Sequence, residues 1–132
     1  MYADARHAVN AYARVGTETG VVTADPHKLI LMLFDGALVA IGQANAAMRA
    51  GDLRVKGESV SKAIQIVEQG LKASLDEKAG GEAGAELARQ LRSLYDYISE
   101  RLLFASIRNQ PAGLEEAARL LGQLRDAWEQ IR

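Results

Sequence analysis

The chain has no cysteine, so neither a disulfide framework nor a thiolate metal site can be built from it, a usage that fits a cytosolic protein. Proline and phenylalanine occur only twice each, and aromatic residues make up 5% of the sequence. So few helix breakers, in a chain rich in Ala, Leu, Glu, Gln, Lys and Arg, predict an all-α fold. Surplus charge is missing as well: the formal net charge is -1 and Lys and Arg are scattered among Asp and Glu. That leaves no basic stripe for phosphate backbones and no acidic tail, which argues against a nucleic-acid partner. The opening stretch MYADARHAVNAYARV lacks a basic segment followed by an apolar one, so it does not read as a secretory signal. At 132 residues one domain is expected.

What is present is one long apolar run. In TADPHKLILMLFDG, residues 23–36, Leu29, Ile30, Leu31, Met32, Leu33 and Phe34 follow one another without a break. Six successive residues sweep the whole circumference of a helix, so the run requires cover on every side. From Leu29 to Ala47 the only charge is Asp35, and these nineteen residues are almost enough to span a bilayer. Asp35, Gln43 and Asn45 nevertheless interrupt the segment, and an Asp at mid-membrane costs roughly 2.5–3.5 kcal/mol. With no aromatic belt and no flanking basic cluster, membrane insertion is not expected.

Four helices account for residues 25–132. Asp25-Pro26 reads as a helix start, because the Asp side chain can accept from free N–H groups of the first turn and proline has no N–H to waste. This helix should run to Ala50 and stop at Gly51. Asp52 caps a second helix carrying Val60, Ile64, Val67, Leu71 and Leu75 at helical spacing, with Glu58/Lys62 and Glu68/Lys72 on its outside, ending before Gly80-Gly81. A third presents Leu87, Leu91, Leu94, Ile98, Leu102 and Ala105 on one face and ends near Asn109. Pro111 starts a fourth, with Glu115 and Glu116 in a first turn whose dipole favours them. There Leu114, Ala117, Leu121, Leu124, Trp128 and Ile131 form the seam of a bundle helix. Short connections imply antiparallel neighbours, so the expected architecture is an elongated antiparallel up-and-down four-helix bundle.

Residues 1–24 form a separate N-terminal arm or short extra helix. Tyr2, Ala5, Val9 and Tyr12 share one face if the segment coils, whereas Gly16 and Gly20 stop it. The segment is either a frayed terminus or a docking arm that lays its tyrosines and Val9 over an apolar groove.

Chemistry-bearing constellations do not emerge. His7 and His27 are the only histidines, and no helix carries the Glu-x-x-His pairs of a di-iron bundle, so both read as surface residues and no metal or cofactor is expected. Gly80-Gly81-Glu82-Ala83-Gly84 lacks the following Lys-Ser/Thr of a phosphate-binding loop and reads as an interhelical connection. No Gly-x-Ser-x-Gly elbow occurs, and Glu115/Glu116 and Asp76/Glu77 sit at helix ends, where capping explains them; an enzyme is not expected. Gly36, Gly42, Gly57, Gly70 and Gly122 lie inside predicted helices, where each costs about 1 kcal/mol relative to alanine. Either close helix packing offsets that, or these glycines floor a shallow apolar surface on which another helix lies.

Several segments taken together resemble a known family. These are Asn10-Ala11-Tyr12 with Val15, Thr23-Ala24-Asp25-Pro26-His27-Lys28-Leu29, Met32-Leu33-Phe34-Asp35-Gly36, Gly51-Asp52, Lys56-Gly57-Glu58 and Ser61-Lys62-Ala63-Ile64. Gly70-Leu71-Lys72-Ala73, Leu94-Tyr95-Asp96-Tyr97, Arg101-Leu102-Leu103, Ile107-Arg108-Asn109 and Asp126-Ala127-Trp128 continue the pattern. From Tyr2 to Trp128 the chain is similar to the flagellar secretion chaperones called FliS. The stretch between Asp76 and Leu94 is about one turn longer than the family pattern. Ser106 stands where that pattern has Asn, and Gln110 where Asp is common.

The resemblance implies a cytosolic export chaperone. It would bind the disordered C-terminal region of flagellin, prevent premature polymerisation and assist delivery to the export gate protein FlhA, with FlgM or FliW as further partners in some relatives. Candidate flagellin contacts are Met32, Phe34, Leu38 and Ile41 of the first helix, Ile66 of the second, and Tyr95 and Leu103 of the third. Val9 and Tyr12 are candidates for a displaceable cover. From the residues alone, a structural bundle subunit acting through stable self-association is the alternative.

Overall fold

A computed structural model describes residues 25–131, in four helices. The arm of residues 1–24, with Val9 and Tyr12, lies outside the described residues, as do His7 and Arg132. Helix α1 is Pro26–Ala50. Helix α2 is Leu53–Gln65, prolonged by a π-helical turn, Ile66–Leu71, and a 3-10 turn, Lys72–Ser74. Helix α3 is Gly81–Arg108 and α4 is Pro111–Gln130.

The helix ends follow local chemistry. Asp25 Oδ1 accepts from the Lys28 N–H at 2.8 Å and Pro26 opens the first turn of α1. Gly51 closes α1 in the left-handed region at φ 75°, and the Asp52 N–H reaches back to the Ala47 carbonyl at 2.9 Å. Asp52 then caps α2 by accepting from the Val55 N–H at 3.1 Å. Asn109, also left-handed, ends α3 while the Gln110 N–H bonds the Ala105 carbonyl, and Pro111 restarts the chain.

One boundary differs from expectation. Helix α2 ends at Ser74 rather than running to the glycine pair. Asp76 Oδ1 accepts from the N–H groups of Lys78 and Ala79, which offers the backbone a turn in place of another helical turn. The same loop dictates Gly84, where a Cβ would run into the Ala79 carbonyl.

Each helix packs on its neighbours in the chain, and α4 closes the ring against α1. Pairings across the seams run antiparallel: Arg125 with Asp35 and Arg49 with Glu115 join α4 to α1, and Arg101 with Glu116 joins α3 to α4. Lys72 with Asp96 joins α2 to α3. The chain is an all-α antiparallel bundle, and its longest helices extend about 40 Å at 1.5 Å per residue. Ile41, Val67, Leu71, Ile98, Leu102, Leu114 and Leu121 fill the core. Buried alanines, including Ala37, Ala44, Ala63 and Ala117, let the helix axes approach between them.

Helix α1 is long and apolar enough to cross a membrane by length and composition. Here it is a packed helix that places seven residues in the interior. Within the unbroken run, Leu33 and Phe34 are buried, Leu29, Ile30 and Leu31 are half-buried, and Met32 is 51% exposed. Among the described residues the bundle side of α1 is covered, whereas Met32 and Val39 stand exposed on its outer line.

The interior glycines divide. A Cβ on Gly70 would lie 3.0 Å from Leu33 Cδ2, and one on Gly36 would touch Ile66 at 3.4 Å. Among the described residues, Gly42, Gly57 and Gly122 have nothing within 4 Å of such an atom, so close packing within the bundle does not explain them. The tightest helix-to-helix glycine contact is at Gly113, where a Cβ would stand 2.7 Å from Ala105 Cβ.

Candidate functional site

All four helices contribute to one open cleft of about 300 Å³. It lies at the end of the bundle where α1 begins and α4 ends. Ile30 and Phe34 come from α1, Leu71, Ser74 and Leu75 from the end of α2, Leu87, Leu91 and Tyr95 from α3, and Leu124, Ala127, Trp128 and Ile131 from the close of α4. The lining is almost wholly apolar because these positions continue the core seams of their helices past the last layer that the bundle closes. That explains two corrections to the seams expected from spacing. Leu87 and Ile131, both placed on core faces by periodicity, are each 55% exposed and stand at this cleft.

Polar groups at the cleft are few. The Ser74 hydroxyl donates to the Gly70 carbonyl and so is occupied. Tyr95 is 4% exposed, and its burial pushes the phenol above its ordinary value. His27, expected on the surface, is instead half-buried against Trp128. The rings stack at 5.1 Å with an interplanar angle of 15°. The indole Nε1–H donates to the His27 carbonyl at 2.9 Å, and His27 Nε2 meets the Trp128 carbonyl at 2.7 Å, so this nitrogen carries the proton. This reciprocal clasp fixes the last turn of α4 to the first turn of α1.

Ion pairs and a hydroxyl hydrogen bond tie the elements beside the cleft. The Arg92 Nε–H donates to Glu77 at 2.9 Å, and Ser99 donates to Glu68 at 3.0 Å. Lys72 sits between Asp96 and Glu68; its hydrogen bond to Asp96 is the main reason that its ammonium is held above the ordinary lysine value. Farther along the bundle, Glu116 accepts from Tyr97 at 2.7 Å and from Arg101 at 2.6 Å, bonds that lower its carboxyl below the usual range. Glu115 pairs with Arg49. These two acids therefore tie α4 to its neighbours rather than capping its start.

The candidate contact residues fall into three settings. Met32 and Leu103 are exposed, the latter by 48%, on the outer faces of α1 and α3. Leu38 and Ile66 are half-buried beside the core. Phe34, Ile41 and Tyr95 are buried; Phe34 and Tyr95 line the cleft, whereas Ile41 is enclosed in the core. The bundle thus brings Phe34 and Tyr95 together but keeps Met32 apart from Leu103. A second exposed apolar area joins Leu103 to Phe104 and Ile107, which were not among the sequence candidates, and the Arg108 guanidinium lies 5.5 Å from the Phe104 ring centroid. Its signal was present as a second apolar line on α3, beside the Ile98, Leu102 and Ala105 seam. Among the described residues, no three His, Cys, Asp or Glu side chains gather as metal ligands would.

The sequence model of the family described as "Flagellar protein FliS" matches residues 8–132. The chain is 47% identical over 123 residues to the flagellar secretion chaperone FliS of Salmonella typhimurium, covering 93% of this chain and 88% of that one. It is 42% identical over 120 residues to the Escherichia coli protein of the same name, covering 91% and 85% of the two chains. To the flagellar secretion chaperone FliSB of Pseudomonas aeruginosa it is 37% identical over 131 residues, covering 99% and 98%.

Proposed function

The chain belongs to the FliS family of flagellar secretion chaperones, and from that membership we propose that its client is flagellin, held through the disordered C-terminal region before export. The chaperone works by binding, with no covalent step. The single observation that carries this reading is the unclosed apolar surface of an otherwise complete bundle. The cleft at one end, Met32 and Val39 on α1, and Leu103 and Ile107 on α3 all remain uncovered by the described residues.

An amphipathic segment that folds as it binds can lay apolar anchors on such surfaces, the helix-in-groove mode of recognition. Coupled folding of this kind buries about 1,000–3,000 Å² and costs roughly 2–5 kcal/mol in ordering, so several separate apolar areas suit it better than one pocket. Capping the client's helical segment blocks its premature polymerisation, and the loaded complex is what the export gate protein FlhA receives in the cytosol. FlgM or FliW would compete for or act beside the same surfaces. Val9 and Tyr12 are proposed as a displaceable cover, a reading supported by the position of Asp25, which opens α1 at the cleft end.

Isothermal titration of the cognate flagellin's C-terminal region into the chaperone tests this. A one-to-one complex with a negative heat-capacity change is expected, since apolar burial is its source. No heat at any temperature, or self-association of the chaperone without client, would contradict it.

A further inference from the structure

Within the apolar cleft one polar residue, Tyr95, has no hydrogen-bond partner among the described residues. The nearby Ser74 hydroxyl is already engaged by Gly70. Tyr95 is 4% exposed and lines the cleft. A buried tyrosine normally finds a partner for its O–H, so any occupant that displaces solvent here must supply one or strand the group.

The size of the cleft narrows what that occupant is. The cleft is about 300 Å³ and open on one side, so it takes side chains from a helix laid across its mouth. In a helical client the backbone carbonyls are engaged by the helix itself, which leaves a side chain to meet the hydroxyl.

We propose that Tyr95 is a specificity-determining residue of the cleft, its O–H donating to the side-chain amide oxygen of an Asn or Gln that stands among the apolar anchors of the client helix. This rests on the reading of the cleft as a client site. It selects a segment carrying one amide in its apolar stripe over a wholly apolar segment, because the latter leaves the phenol unpaired in a dry contact. The buried phenol stays protonated, and therefore a donor, well beyond neutral pH.

The test pairs Tyr95→Phe with client peptides from the cognate flagellin's C-terminal region in which each Asn or Gln is changed to Leu. The phenylalanine variant should unfold at the same temperature as the parent or higher, since no bond within the described bundle is lost. Its affinity for the unchanged peptide should fall about fivefold to tenfold. One amide-to-Leu peptide should show the same loss against the parent chaperone and no further loss against Tyr95→Phe, as coupled partners do. Equal binding of the unchanged peptide by both chaperones overturns the proposal, as does a set of amide changes none of which weakens binding to the parent. Those peptide changes decide the matter even where the Tyr95 variant folds poorly. Absence of any binding by the parent chaperone instead removes the client reading on which the proposal stands.

Discussion

Gly113 and Gly42 are both helical glycines, yet opposite outcomes are expected on replacing them. At Gly113 a methyl group would stand 2.7 Å from Ala105 Cβ and 3.4 Å from the Arg101 carbonyl, neither of which can swing aside. Gly113→Ala should cost about 1–3 kcal/mol as overpacking. At Gly42 and Gly122 the added methyl meets nothing within 4 Å, so alanine there should stabilise by about 0.5–1 kcal/mol through helix propensity. Denaturant titration with an unchanged slope checks both signs. The sequence made the cost of interior glycines visible, but which ones face a neighbour depends on the lateral placement of helices. That placement is a long-range property, and it is also why Phe34, Ile41 and Met32 could not be sorted by spacing into cleft, core and outer face.

At the scale of elements, helix starts and stops were the most legible features. Asp25-Pro26, Gly51-Asp52 and Asn109 to Pro111 act through groups only a few residues apart, so their outcome hardly depends on the rest of the chain. The end of α2 was not legible, because Asp76 turns the backbone before the glycines do. Nor was the π-helical turn of Ile66–Leu71, which no composition signal marks. The link between α1 and α4 joins His27 to Trp128 across 101 positions and was beyond any local pattern. His27→Ala should remove the stack and one hydrogen bond, costing about 1–2 kcal/mol. Trp128 is the sole tryptophan, so its emission should shift to the red as the last turn of α4 loosens. An unchanged spectrum would mean that packing against the cleft, not His27, fixes that turn.

At the scale of the molecule, the bundle of described residues is closed along most of its length and open at one end. The fold class and helix order followed from apolar periodicity, since each seam repeats over several turns and a single irregularity does not shift it. The cleft was hidden for the same reason. Leu87 and Ile131 obey the seam periodicity, and they are exposed because no further core layer stands over them among the described residues. An open apolar end, with outward lines on α1 and α3, is what a chaperone for an unfolded client needs. We propose that the client covers these areas. Photo-crosslinkers placed singly at Met32, Leu87 and Leu103, with Glu58 on the charged face of α2 as a control, test it most directly. Adducts with the C-terminal region of flagellin are expected from the three apolar positions, with little or none from Glu58. Adducts at Glu58 matching the others, or flagellin left unlabelled from all three, would contradict it.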